Sequence, residues 1–90
     1  MREIAGKTPD KIKARTWKEF AGYDPFKDDN FDLDGTAERI AMVYGLTAEQ
    51  VLDELTVDEI FPTFLDCVHH INAQVLRTFK DTPKKKEETT

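Results

Sequence analysis

Residues 56–79 read TVDEIFPTFLDCVHHINAQVLRTF, and their apolar pattern decides the predicted fold class. Large apolar side chains recur there at steps of three and four, which is the spacing of one face of an α-helix. They are Ile60, Phe61, Phe64, Leu65, Val68, Ile71, Val75, Leu76 and Phe79. A helix with so wide an apolar stripe is not stable alone in water, so the rest of the chain is expected to cover it.

Capping signatures divide the preceding sequence into further helices. Thr56 with Glu59 is a capping box that opens the long helix, and the same pattern occurs at residues 16–19 and 47–50. The capping box at residues 16–19 predicts a short helix over residues 17–21, which ends at Gly22. Pro62 either falls in the first turns of the long helix or separates a short initial turn from it, because proline has no backbone N–H.

A second helix is predicted over residues 37–44, with Asp34 or Thr36 as its cap and Gly45 as its left-handed end. Between the first two helices lies an aspartate-rich loop, residues 22–35, whose aromatic side chains are expected to fold back onto the long helix.

The remaining segments complete the predicted domain. Residues 1–15 are weakly patterned and fit either two short extended segments around a turn or a disordered arm. We therefore expect one mainly α-helical domain over residues 1–79, a small bundle of three to four helices with a long C-terminal amphipathic helix. Residues 80–90, KDTPKKKEETT, are predicted to form a disordered charged tail.

Composition narrows the functional classes. The net charge of −5 disfavours nucleic acids and anionic membranes, because both attract basic surfaces. No apolar run approaches the roughly 20 residues that span a bilayer. The single cysteine, Cys67, cannot form an intramolecular disulfide and fits a reducing cytoplasm.

An imperfect calcium-loop pattern occurs at residues 30–35. Asn30, Asp32, Asp34 and Gly35 match the first three ligand positions and the glycine of an EF-hand loop. The twelfth position, which needs a bidentate glutamate, is Ala41. The alternatives are a weak divalent-cation site and, more simply, a solvated acidic loop with helix-capping aspartates.

Residues 40–52, IAMVYGLTAEQVL, have the alanine, glycine and valine spacing of a helix-turn-helix motif. Its second helix would carry Glu49, Asp53 and Glu54 towards DNA phosphates without any lysine or arginine, which is repulsive. A DNA-binding regulator is therefore kept only as an alternative.

No catalytic or metal site is predicted. His69 and His70 point about 100° apart on a helix and cannot chelate one metal together. No nucleophile with a base and an orienting group is evident, so we expect neither an enzyme nor a cofactor.

Three segments together carry a family resemblance: KARTWKEF at 13–20, DDNFDLD at 28–34 and ERIAMVYGLTAEQVLDELTVDEI at 38–60. In this order they resemble the small tail assembly chaperones of long-tailed bacteriophages and prophages. The matching positions are Thr16, Trp17, Glu19, Ile40, Ala41, Gly45, Leu46, Thr47, Glu49, Leu52, Leu55 and Asp58.

The resemblance implies a non-enzymatic role in virion morphogenesis, in the cytoplasm of the host bacterium. Such chaperones bind the tape measure protein, keep it soluble and help tail tube subunits polymerise around it. Helix-in-groove docking onto an apolar helical stripe suits that role. Self-association is also expected from the small core.

The hypothetical contact surface consists of aromatic residues, and the alternative is that most of them belong to the core. These residues are Trp17, Phe20, Phe26, Phe31, Phe61, Phe64 and Phe79.

Overall fold

The computed structural model describes residues 1–9 and 11–81. Across these residues the chain forms four α-helices and no strand: α1 (Ala14–Phe20), α2 (Leu33–Tyr44), α3 (Ala48–Glu54) and α4 (Val57–Asp81). The predicted small helical bundle with its longest helix last is confirmed. α4 runs two residues into the segment expected to be the tail, and the rest of that segment, 82–90, lies outside the described residues.

α4 is one helix of 25 residues with Pro62 inside its second turn. The helix continues through Pro62, although proline offers no N–H to the Asp58 carbonyl. Only half of the predicted capping box forms at its start. The backbone N–H of Thr56 donates to Oε1 of Glu59 at 2.8 Å, whereas the Thr56 hydroxyl donates to the Asp58 carboxylate.

The turn between α2 and α3 agrees with the sequence prediction. Gly45 has a φ of 72° and ends α2 in the left-handed conformation. The Thr47 capping box is complete, because Gln50 N–H donates to Thr47 Oγ1 at 3.2 Å and Thr47 N–H donates to Gln50 Oε1 at 3.0 Å.

The predicted starts of α1 and α2 are wrong. α1 begins at Ala14 without a side-chain cap, and Thr16 is buried inside the helix. α2 begins at Leu33, and its cap is Asp32, whose Oδ1 accepts from Gly35 N–H at 3.0 Å. The sequence analysis proposed Thr16 and Thr36 as caps, but both side chains are buried. Packing therefore sets where each helix begins.

α2 lies at the centre of the molecule and packs against each of the other three helices. The core they enclose is mainly aliphatic and includes the buried rings of Tyr44 and Phe64. Its buried apolar residues are Ile4, Ala37, Ile40, Ala41, Val43, Tyr44, Val51, Leu55, Ile60, Phe64, Cys67 and Ile71.

The N-terminal arm belongs to this core. Ile4 is 2% exposed. It pairs with Lys7 in one isolated β-bridge across a tight turn, and this bridge is found in place of the two expected extended segments. The Tyr44 hydroxyl donates to the Arg2 carbonyl at 2.8 Å. Burial raises the pKa of Tyr44 to about 12, so the hydroxyl remains a donor across the physiological range.

Candidate partner-binding surfaces

The aromatic residues predicted from sequence separate into two groups. Five of them form a continuous cluster in which the loop rings pack on α4: Phe26 lies 5.0 Å from Phe61, and Phe20 stacks on Phe64 at 5.5 Å between ring centroids. Phe31 joins through Phe26 at 5.2 Å. The loop therefore covers α4 as the sequence indicated.

Exposure differs within this cluster. Phe64 is buried in the core, and Phe20, Phe31 and Phe61 are partly buried against it. Phe26 alone keeps half of its surface in contact with solvent. Most of the cluster thus packs within the molecule, and Phe26 is the member that offers a partner the most surface.

Trp17 and Phe79, the other two predicted residues, are brought together across the fold. They line one open cleft of about 370 Å³ together with Ile12, Ile71 and Val75. Trp17 is 47% exposed and Phe79 is 66% exposed. We call this cleft, formed by the segment before α1, by α1 and by the C-terminal half of α4, the Trp17 cleft.

The amide of Gln74 fixes one wall of the Trp17 cleft. Its Oε1 accepts from the backbone N–H of Ile12 at 3.1 Å, and its Nε2 lies 3.1 Å from Nε2 of His70. Because the amide nitrogen can only donate, this contact is a hydrogen bond when Nε2 of His70 is the acceptor. The bond between Ile12 and Gln74 holds the arm against α4, and the contact with His70 orients the amide from within the same helix.

A second apolar groove lies at the N-terminal end of α4. It has a volume of about 230 Å³ and is lined by Phe31, Leu33, Leu52, Leu55, Val57 and Ile60. Val57 is 96% exposed and Leu33 is 45% exposed. We call it the Val57 groove. The sequence analysis missed this groove, because Val57 lies outside the apolar stripe of α4. The one signal in the sequence is an apolar residue in the first turn of the helix.

The calcium-loop pattern has a structural explanation. Asp32 uses one carboxylate oxygen to cap α2 and the other to accept from the Tyr23 hydroxyl at 3.0 Å. The Gly35 N–H and the Tyr23 hydroxyl therefore lower the pKa of Asp32. Gly35 lies in the first turn of α2, where a Cβ atom would meet Asp32 and come within 2.8 Å of the Tyr23 hydroxyl.

The helix-turn-helix pattern forms a helix pair with an acidic second helix. α3 carries Glu49, Gln50, Asp53 and Glu54 on its solvent-exposed positions. Arg39, on α2, is the only lysine or arginine between residues 28 and 76, and its guanidinium is engaged elsewhere. It lies 3.6 Å above the Tyr23 ring and donates to the Glu19 carbonyl at 2.8 Å.

Cys67 is a buried thiol in the core. Burial raises its pKa to about 12, and so it stays protonated and is a poor nucleophile. Among residues 1–9 and 11–81, no group of three or more His, Cys, Asp or Glu side chains is placed to hold a metal ion.

Comparison with known proteins adds no relative: no family model, no curated protein and no solved structure matches this chain. Within the described residues, no helix combines the length and the apolar character needed to cross a membrane.

Proposed function

We propose that this protein is a tail assembly chaperone of a long-tailed bacteriophage or prophage, a non-enzymatic protein of the host cytoplasm. It binds the tape measure protein, keeps it soluble and helps to recruit tail tube subunits. The observation that carries the proposal is the Trp17 cleft, where two exposed aromatic residues 62 positions apart line one apolar surface.

The cleft suits an amphipathic helix. One wall is the C-terminal half of α4, where the exposed Leu76 adds apolar surface beside the residues that line the cleft. Full burial of a large apolar side chain contributes about 1.5–3 kcal/mol, so contact with Trp17 and Phe79 supplies much of the binding free energy.

The charge of the chain supports the same role. A tape measure chain exposes long apolar stripes before assembly, and a partner that covers them must itself remain soluble. The net charge of −5 opposes aggregation of the complex, since like-charged complexes repel one another.

The test is co-expression with fragments of the tape measure protein encoded next to this one. We expect a fragment that is insoluble alone to become soluble and to co-elute with this protein on size exclusion. Phe79→Asp is expected to abolish co-elution without unfolding the protein, because two-thirds of that side chain already faces water.

Met42→Asp is the matched control, since Met42 is a partly exposed apolar residue of α2 that does not line the cleft. This variant should rescue the fragment like the unmodified protein. No rescue by any of a set of overlapping fragments, or equal loss in both variants, would contradict the proposal.

A further inference from the structure

We propose that the Val57 groove is a second binding site, which takes a basic amphipathic protein segment whose apolar side chains are flanked by lysine or arginine. The site lies at the start of α4, whereas the Trp17 cleft lies along its C-terminal half, and Val57 and Phe79 are about 33 Å apart along a helix that rises 1.5 Å per residue. The inference is independent of the proposed function.

The geometry provides an apolar floor that the described residues leave open. Phe31 comes from the loop before α2 and Leu33 from its first position. Leu52 belongs to α3, Leu55 follows its last residue, and Val57 begins α4. Val57 faces solvent almost completely, and an apolar side chain in that position does not stabilise the fold.

The size of the groove favours side chains over a free ligand. Its 230 Å³ is below the roughly 300–1,000 Å³ of ordinary small-molecule pockets. It has room for one or two apolar side chains of an approaching segment, which is the way a helix anchors in a groove.

The charges beside the groove select the partner. Asp34 follows Leu33 in the chain, Asp53 and Glu54 separate Leu52 from Leu55, and Asp58 follows Val57. All four acidic residues are exposed.

Among the described residues, no ion pair joins a lysine or arginine to Asp34, Asp53, Glu54 or Asp58. Arg39 lies over Tyr23 and pairs with Glu19, and Arg2 pairs with Glu59. Nucleic acids, anionic lipids and acidic peptides are repelled from such a rim. A segment with lysine or arginine beside its apolar side chains makes two kinds of contact. Its apolar side chains enter the groove, and its cations pair with the carboxylates beside the groove.

The experiment uses the full chain and two synthetic helical peptides about five turns long. Both carry the same leucine stripe, and lysines flank the stripe in one peptide whereas glutamates flank it in the other. We expect the lysine peptide to bind at least about tenfold more tightly at low salt, and the difference to shrink as about 0.5 M NaCl screens the charges.

Amide chemical shifts of the ¹⁵N-labelled protein locate the binding site. Shifts at Leu33, Leu52 and Val57 with an unchanged Trp17 indole support the proposal. Shifts confined to the Trp17 indole place the peptide in the other cleft and overturn it.

Two variants test the anchor and the rim. Val57→Lys is expected to weaken binding of the lysine peptide about tenfold or more, because it replaces an apolar contact with a repelling charge. Asp53→Lys should weaken it several-fold, because Asp53 follows Leu52, which lines the groove. Glu38→Lys makes the same charge change on an exposed residue of α2 whose chain neighbours do not line the groove, and it should have a much smaller effect.

Equal effects of the two charge reversals would show that only net charge matters, and would overturn the site. A third result would also overturn the proposal: the protein binds no peptide but self-associates, and Val57→Lys abolishes that self-association. The groove would then belong to an interface with a second copy.

Discussion

At the scale of single residues, Asp32, Tyr23 and Gly35 show how a ligand-like motif arises from packing. The carboxylate of Asp32 is fully used by a helix cap and a tyrosine hydroxyl, and the glycine beside it leaves room for both. The acidic loop pattern therefore belongs to the start of α2. The two hydrogen bonds explain the position of Asp32 without a bound cation.

Gly35→Ala is expected to lower the free energy of unfolding by about 1–3 kcal/mol, because the new Cβ displaces the Asp32 cap or the Tyr23 hydroxyl. Urea denaturation followed by circular dichroism measures the change. Glu38→Ala, at an exposed position of the same helix, should change it by less than about 0.5 kcal/mol. Equal stability of the two variants would mean that the cap relaxes freely.

Cys67 is expected to resist alkylation in the folded protein, because the thiol is buried and its raised pKa of about 12 keeps it protonated. Mass spectrometry after iodoacetamide treatment at pH 8 should show slow modification without urea and complete modification in urea. Rapid modification of the folded protein would contradict the assigned burial.

At the scale of the helices, three similar capping signatures have three different outcomes. The Thr47 box is complete, the Thr56 box is half formed, and the Thr16 box is absent. The Thr47 box joins two helices through a tight turn, so its geometry is local. Thr16 instead is needed inside α1, where burial of its side chain outweighs a cap worth about 1 kcal/mol.

The start of α4 predicts an acid-sensitive contribution to stability. The backbone N–H of Thr56 and the Arg2 guanidinium, 2.9 Å from Glu59, lower the pKa of Glu59 from 4.5 to about 2. Because the folded-state pKa is depressed, the stabilisation is present above pH 4.5 and is lost as the pH falls towards 2.

Glu59→Gln should therefore be less stable than the unmodified protein at pH 6, and this difference should shrink as the pH falls below 4.5. Urea denaturation of both proteins at a series of pH values measures it. A difference that stays constant down to pH 2 would show that Glu59 acts through its shape rather than its charge.

At the scale of the whole molecule, the N-terminal arm joins elements that are distant in sequence. Ile4 enters the core, Arg2 reaches Glu59 at the start of α4, and Ile12 is bound to Gln74 near its end. The arm thus contacts both ends of the longest helix, and the shape of the Trp17 cleft depends on it.

Gln74→Met is expected to loosen the arm, because the Ile12 N–H loses its acceptor whereas the size of the side chain at position 74 changes little. Hydrogen exchange at the Ile12 amide should accelerate roughly three- to tenfold, the equivalent of one ordinary hydrogen bond. Asn72→Ala, on an exposed position of α4, should leave the exchange rate unchanged. An unchanged rate in Gln74→Met would show that packing alone holds the arm.

Predictions from sequence were accurate where no distant contact competed with a local rule. The apolar period of three and four identified α4, and Gly45 with Thr47 placed the turn before α3, since helix periodicity and capping depend only on neighbouring residues. The starts of α1 and α2 were wrong because distant packing decided which of several cap-forming residues was buried.

The candidate surfaces divide in the same way. The sequence by itself determined that the chain is a small acidic helical bundle with more aromatic residues than a loop can leave in water. Only the tertiary structure decided that Phe64 packs inside, that Trp17 and Phe79 meet in one cleft, and that Val57 remains uncovered. The physical reason is that exposure depends on which segments lie over a side chain, and those segments are far away in the sequence.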